Sequence, residues 1–285
     1  MNAASQKYIL EFRSDRGGRP LSRMLIALAG FLVWVVFQGF LAGLLGCIGD
    51  LIPRYAVAGA GALVPLVLLW QLVPGVSGVL GGRQVRVAAA SSLALFVPFI
   101  VIALRTGMEY RGVSVQWAVY AVALLLLAAS EEVVCRGFLM DALSFGNSRL
   151  TGLLLSSSVF AMLHLGNDNA STAGIANIFL AGAFFGFVRI VTDGLLYPVA
   201  LHWLWNLMTG MVFGWNVSGH TLMPAVFSPV SRPPWGCFGP EESVLMTVGT
   251  VGAILILLKR IYLPDDQASA GIETVPGGKT DEVDP

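Results

Sequence analysis

The chain has few charged residues for its length. Only 12% of its 285 residues are Asp, Glu, Lys or Arg, and 56% are hydrophobic. Soluble domains contain about a quarter charged residues, so this composition excludes an ordinary soluble domain and predicts a protein surrounded by lipid. The formal net charge is zero and no basic cluster occurs, which gives no support to a nucleic-acid partner.

Cysteine is also scarce. Cys47, Cys135 and Cys237 are too few and too widely spaced for a disulfide framework or a Cys-x-x-Cys metal site. The sequence lacks internal repeats and any polar linker long enough to separate two folded units. One membrane domain is therefore the simplest organisation.

Long apolar runs take up most of the chain. A helix needs about 20 apolar residues to cross the ~30 Å hydrocarbon layer, and by this criterion we predict an all-α, polytopic membrane protein with about eight transmembrane helices. The predicted spans are 21–46, 55–73, 87–104, 115–143, 149–165, 173–192, 195–213 and 243–261. Basic residues concentrate before the first span and in the loops on the same side, so both termini are predicted to be cytoplasmic. The low overall charge and the lack of a cleavage signal after the first span fit the plasma membrane of a bacterium.

Polar residues enter these runs from the fourth predicted helix onward. They are Glu131, Glu132, Arg136, His164, Asn177, His202 and Asn206. A charge in hydrocarbon costs roughly 2.5–3.5 kcal/mol on insertion scales, so such residues are expected to face a wet interior cavity.

The first polar motif is Glu131-Glu132-x-x-x-Arg136. On a helix, Glu132 and Arg136 are i and i+4 and can form an ion pair, while Glu131 points about 100° away around the axis. Glu131 is then the available carboxylate, and it could act as a general base toward water. The alternative is that both acids share Arg136 in a buried charge network.

The second motif, Phe160-x-x-x-His164, places both side chains on one helical face. With a hairpin turn at 146–148, Glu131 and His164 lie 15 and 16 residues from the turn. At ~1.5 Å per residue the two side chains reach nearly the same height in antiparallel helices, so they are predicted to meet. Taken alone, His164 could instead form an interhelical hydrogen bond.

The third motif is His202-x-x-x-Asn206, again i and i+4. Two donors on one face could stabilise negative charge on a carbonyl oxygen, as in an oxyanion hole. They could also hydrogen-bond between helices. A third interpretation is that Glu131, His164 and His202 bind a divalent metal such as zinc, and the sequence leaves these interpretations open.

Taken together and in this order, the three motifs resemble the signature of the CPBP family of CAAX proteases and bacteriocin-processing enzymes, which includes the type II CAAX prenyl endopeptidases. The resemblance covers about residues 115–261. It implies that Glu131 activates water, His164 assists, and His202 with Asn206 stabilises the oxyanion. By the same resemblance the supporting residues are Glu132, Arg136 and Phe160.

Cys135 departs from the family pattern, because many relatives have an aromatic residue there. Family members are described both as metalloproteases and as metal-independent glutamate proteases, and we expect no obligatory metal. The implied domains are 1–114, an N-terminal segment with scaffold helices; 115–262, the catalytic core; and 263–285, a disordered acidic cytoplasmic tail.

The leading hypothesis is an intramembrane endopeptidase that hydrolyses a peptide bond of a membrane-associated or lipidated protein or peptide. The alternatives are a proton-coupled transporter that uses Glu131 and His164 as a relay, and a non-catalytic scaffold or bacteriocin-immunity protein. Outside the motifs, His220 is expected to have an interfacial or loop role. The stretch 239–242 is expected to start a helix with its acidic side chains near the positive end.

Overall fold

In a computed structural model of the chain, the described residues are 20–45, 57, 59–61, 82–144, 148–222 and 225–262. They are mostly helical, so the predicted all-α membrane class is confirmed. The predicted span 55–73 lies almost entirely outside the described residues, as do the predicted tail 263–285 and residues 145–147 of the hairpin turn.

The helices follow the apolar runs closely. In chain order they are α1 Pro20–Leu44, α2 Gly82–Thr106, α3 Val115–Glu132, α4 Arg149–Leu163, α5 Thr172–Thr192, α6 Leu196–Asn206 and α7 Val244–Tyr262. Helix α3 continues through a π-helical stretch, Val133–Leu139, into Met140–Leu143, and α6 continues into a second π-helical stretch, Leu207–Val212. The strands β1 Met108–Tyr110 and β2 Phe227–Pro229 form a short antiparallel pair between loops.

Four of the described helical segments are long and apolar enough to cross a membrane: Met24–Leu44, Arg86–Thr106, Val115–Leu143 and Thr172–Thr192. Arg149–Leu163 and Val244–Lys259 are shorter apolar helices. The outward faces carry large exposed apolar side chains, such as Val36, Leu104 and Val248, which lipid would cover. The exact number of spans, the orientation and the division into domains stay predictions.

Serine side chains cap three of these helices. Ser148 and Ser171 accept hydrogen bonds from the backbone N–H groups of the first turns of α4 and α5. Ser243 does the same for α7 by accepting from Met246 N. The expectation for 239–242 was therefore wrong in detail: these residues precede the cap and form a separate 3₁₀ turn, Pro240–Glu242.

The two π-helical stretches begin directly after predicted site residues. The first follows Glu132 and the second follows Asn206. A π-helical turn inserts an extra residue into the helix and occurs often at functional sites. The first stretch contains Arg136 of the first motif.

The helices pack around an interior that lies beside the polar motifs. Helix α7 packs on α2 and α5, α4 packs on α5, and α3 packs on α6. Buried aromatic side chains occupy the centre, among them Phe99, Phe184 and Trp205. This packing brings the ends of α3, α4 and α6 together, and those ends carry the three motifs.

Candidate active site

Glu132 is a fully buried carboxylate at the end of α3. Its Oε1 atom accepts a hydrogen bond from Arg136 Nη1 at 2.8 Å, so the ion pair predicted from the i and i+4 spacing is confirmed. The same oxygen lies 2.9 Å from Nδ1 of His202, 70 residues further along the chain. Glu132 therefore joins the first motif to the third.

Arg136 is completely buried, and aromatic rings complete its surroundings. Its guanidinium carbon lies 4.1 Å from the centroid of Phe160 and 5.4 Å from that of Phe185. Cation–π contacts of this kind stabilise a desolvated guanidinium by about 2 kcal/mol or more. Gly182 leaves space for it, because a Cβ there would lie 3.0 Å from Nη2.

Glu131 has a different environment from its neighbour. Its side chain keeps 19% of its surface exposed, and it lines a cleft. Nε2 of His202 lies 3.7 Å from Glu131 Oε2, which is beyond a direct hydrogen bond. One glutamate is thus held by its neighbours and the other is available, as the helical spacing predicts.

His164 ends α4, and its contact with Phe160 determines which ring nitrogen carries the proton. Nδ1 lies 2.8 Å from the Phe160 carbonyl oxygen, and a carbonyl can only accept. Nδ1 must therefore donate, which leaves Nε2 of the neutral imidazole as an acceptor. The Phe160 ring also meets the His164 ring edge-on, with centroids 4.8 Å apart.

His202 and Asn206 are both buried on α6. The His202 ring stacks on Phe185 with centroids 5.2 Å apart and 18° between the planes. Because the Glu132 carboxylate accepts from Nδ1, only Nε2 of His202 remains to act toward Glu131 and the cleft. Phe185 was missed at the sequence level, since it lies on α5 in an apolar run without a polar neighbour to mark it.

The four predicted catalytic residues share one cleft with a volume of about 400 Å³. Its polar lining comes from Glu131, His164, His202, Asn206, Asn167, Ser218, His220 and Gln38. Apolar side chains of α1 and α3, such as Trp34 and Leu127, form the rest of the wall. The cleft is large enough for several residues of an extended peptide.

Two loops close one side of this cleft. Asn167 Nδ2 donates to the Ser218 carbonyl at 2.9 Å, which ties the segment after His164 to a tight turn, 217–220. Ser218 and Gly219 both have positive φ, and Gly219 packs against the Asp168 carbonyl, where a Cβ would not fit. His220 lies in this turn, in keeping with the loop role expected for it, and it also lines the cleft.

Asn177 does not face the cleft, although its position in an apolar run suggested a wet cavity. Its amide donates to the carbonyl oxygens of Glu241 and Ser243, at 2.7 and 3.0 Å. Its Oδ1 accepts from the Thr247 hydroxyl. Asn177 is fully used in joining α5 to the start of α7.

The residues considered for a metal site do not form one. Within the described ranges, no group of three or more His, Cys, Asp and Glu side chains is arranged to hold a metal ion. The Nδ1 atoms of both histidines are already engaged, by Phe160 and Glu132. The interpretation of Glu131, His164 and His202 as a zinc site, and with it a metalloprotease, is not supported.

The fold and the site define an intramembrane helix bundle with a glutamate- and histidine-lined cleft. Residues 113–208 match the family model for type II CAAX prenyl endopeptidase Rce1-like proteins. This segment, about a third of the chain, contains all three motifs, and the match supports an assignment to the CAAX protease family. The match supports an intramembrane CAAX-type endopeptidase in general, with a protein or peptide substrate. No curated protein and no solved structure matches the chain.

Proposed function

We propose that the protein hydrolyses a peptide bond of a membrane-associated or lipidated substrate, with water activated by Glu131. The observation that carries the proposal is the unequal use of the two adjacent glutamates. Arg136 and His202 hold Glu132, whereas Glu131 faces the cleft and has no hydrogen-bonded partner among the described residues. A carboxylate that is free in a cleft beside a histidine is suited to general base catalysis.

The first step joins Glu131 and His164 to a water molecule. The Glu131 carboxylate takes one proton from the water. Nε2 of His164 accepts a hydrogen bond from the other O–H of the water and so orients the water molecule. The water oxygen then attacks the carbonyl carbon of the substrate. Because His164 Nδ1 is bound to the Phe160 carbonyl, its Nε2 keeps the acceptor role throughout.

The second step requires donors for the negative charge that develops on the substrate oxygen. Nε2–H of the imidazolium form of His202 and the amide N–H of Asn206 supply them. Glu132 supports this form of His202, because its carboxylate accepts from Nδ1. When the C–N bond breaks, Glu131 returns its proton to the leaving amine, so the catalytic groups end in their initial state.

The proposal includes no obligatory metal and an orientation with both termini in the cytoplasm of a bacterial cell. The site would then lie in the plasma membrane, accessible to anchored substrates.

The test of the proposed function is cleavage of a panel of membrane-anchored peptides by detergent-purified protein, with and without a strong chelator. We expect cleavage that the chelator leaves unchanged. Cleavage that disappears with chelator and returns with added zinc would contradict the metal-independent mechanism, and failure to cleave any peptide would contradict the proposed function.

Replacing Asn206 by Asp should reduce kcat by about 10²–10³-fold with little change in KM. The substitution keeps the shape of the side chain but removes both N–H donors and adds a negative charge beside the oxyanion. Asn169→Asp is the matched control, because Asn169 is exposed and its left-handed backbone also suits Asp. Equal activity of the two variants would show that Asn206 does not contact the reacting oxygen.

Replacing Phe185 by Leu should lower kcat by up to about tenfold, because His202 loses a stacked aromatic contact of about 0.5–1.5 kcal/mol. Leu keeps much of the apolar volume, so the protein should remain folded. Phe187→Leu, on the same helix and in the apolar core, is the control for a general packing defect. A similar loss of activity in both variants would assign Phe185 to packing alone.

A further inference from the structure

Glu241 is a buried carboxyl group in the 3₁₀ turn before α7, outside the segment that matches the family model. Its side chain is 1% exposed. Oε1 accepts a hydrogen bond from the indole Nε1 of Trp205 at 3.0 Å, and Oε2 has no hydrogen-bond partner among the described residues. A buried, unsatisfied carboxyl oxygen is rare enough to need an explanation.

A small cavity provides one. It has a volume of about 30 Å³, and Glu241 lines it together with His164, His202, Asn206, Ser218 and apolar side chains. About 10–15 Å³ of this kind of volume holds one water when polar partners are present, so there is room for about two. His164, His202 and Asn206 line this cavity as well as the cleft.

We propose that Glu241 is a further positioning residue of the site, which acts on Asn206 through water held in this cavity. The proposal rests on the proposed hydrolysis, because it concerns the oxyanion donor of that reaction. Trp205, which donates to Glu241, directly precedes Asn206 on α6. The carboxyl group is therefore fixed relative to the amide that it positions.

The charge of Glu241 determines the direction of the hydrogen bonds. An ionised carboxylate only accepts, so the cavity water donates to Glu241 and accepts from the Asn206 amide N–H. The amide is then held with its N–H₂ group between the water and the cleft. A protonated Glu241 instead donates to the water, which turns to donate to Asn206 Oδ1 and favours the flipped amide. The flipped amide presents its carbonyl oxygen to the oxyanion.

The Glu241 carboxyl group changes its charge within the physiological range of pH. Burial raises the pKa of Glu241 to about 7, while the Trp205 indole and nearby backbone groups offset part of this effect. The adjacent Glu242 adds to the rise. Below pH 7 the carboxyl is mostly protonated, and above pH 7 it is mostly ionised. The active arrangement of Asn206 is therefore expected above pH 7.

Other groups near Glu241 can also titrate. Glu242 lies on the same turn, His202 on α6 and His164 at the end of α4. The neighbouring side chains of α5 and α7, Asn177 and Thr247, are uncharged. A step in activity near pH 7 therefore has to be assigned by substitution of Glu241 itself.

The test compares wild type with Glu241→Gln and with Glu242→Gln as the matched control. Glutamine can still accept from the Trp205 indole, and its amide donates to the cavity water at every pH, as protonated Glu241 does. Wild type should show kcat rising about tenfold across pH 7, less than the about 10²–10³-fold effect of removing an oxyanion donor. Glu241→Gln should keep the low value throughout, with KM nearly unchanged. Glu242→Gln should keep the full step, moved to a somewhat lower pH because the Glu242 charge no longer raises the pKa of Glu241.

Infrared difference spectroscopy between pH 6 and pH 8 provides a second measurement that does not depend on cleavage. A carboxylic acid C=O band should disappear with rising pH in wild type and Glu242→Gln, and be missing in Glu241→Gln. A kcat step that survives in Glu241→Gln, or a wild-type protein without the band, would overturn the proposal. If wild type cleaves no peptide while the band is present, the proposed function fails, and the positioning role fails with it.

Discussion

Replacing Glu131 by Gln is expected to lower kcat by about 10²–10⁴-fold, the usual contribution of a general base. The amide has nearly the same shape but cannot accept the proton of the attacking water. Stability should change by no more than about 0.5 kcal/mol, because the side chain is partly exposed and has no hydrogen-bonded partner in the part of the chain that the structure describes. The measurements are kcat on a cleaved membrane-anchored peptide and the melting temperature in the same detergent.

Glu109→Gln is the control for this substitution. Glu109 lies on β1, where it is exposed and pairs with Arg111 at the surface. It should retain full activity under the same conditions. If Glu131→Gln also cleaved at the wild-type rate, water activation by this carboxylate would be wrong. The roles of His164 and Asn206 would then have to be reassigned as well.

The fold could be predicted well where lipid imposes the pattern. Apolar runs long enough to cross the bilayer predicted α1, α2, α3 and α5 to within a few residues. A spanning segment must pair its own backbone N–H and C=O groups because lipid offers no hydrogen bonds, and an α-helix does so within one segment. The π-helical stretches after Glu132 and Asn206 could not be predicted in this way. They depend on tertiary packing at the site, whereas the spacing of residues in the sequence predicts only the regular α-helical turn.

The site could be predicted where its residues share a helix. Glu132 with Arg136, and Phe160 with His164, are neighbours at i and i+4, and helical geometry alone determines those contacts. The hydrogen bond between Glu132 and His202 spans 70 residues and depends on how α3 packs against α6. For this reason the engaged Nδ1 of His202 was not foreseen.

The positions of three residues outside the motifs were also not foreseen. Phe185 lies in an apolar run, and Glu241 lies in a stretch with the signals of a helix start, so the local sequence gives each a simpler explanation. His220 lies in a loop whose path over the cleft depends on the tight turn at Ser218 and Gly219. In each case the position beside the site depends on long-range packing, which one sequence does not encode in its local pattern.

Replacing Arg136 by Met is expected to destabilise the protein by about 3–5 kcal/mol, the cost of leaving a buried charge without its partner. Arg136 and Glu132 are both fully buried, and the guanidinium also contacts two aromatic rings. Lysine should be only partly tolerated, because its compact ammonium can pair with Glu132 but cannot stack on Phe160 and Phe185. The melting temperature in detergent, measured for both variants, should therefore fall further for Met than for Lys.

The double variant Glu132→Gln with Arg136→Met separates charge from packing. It removes both charges together, so it should recover most of the stability that Arg136→Met loses. It should not recover activity, because His202 would lose the carboxylate that accepts from its Nδ1. A double variant as unstable as Arg136→Met would instead assign the loss to the aromatic contacts of Arg136. A double variant with wild-type kcat would contradict the role of Glu132 in supporting His202.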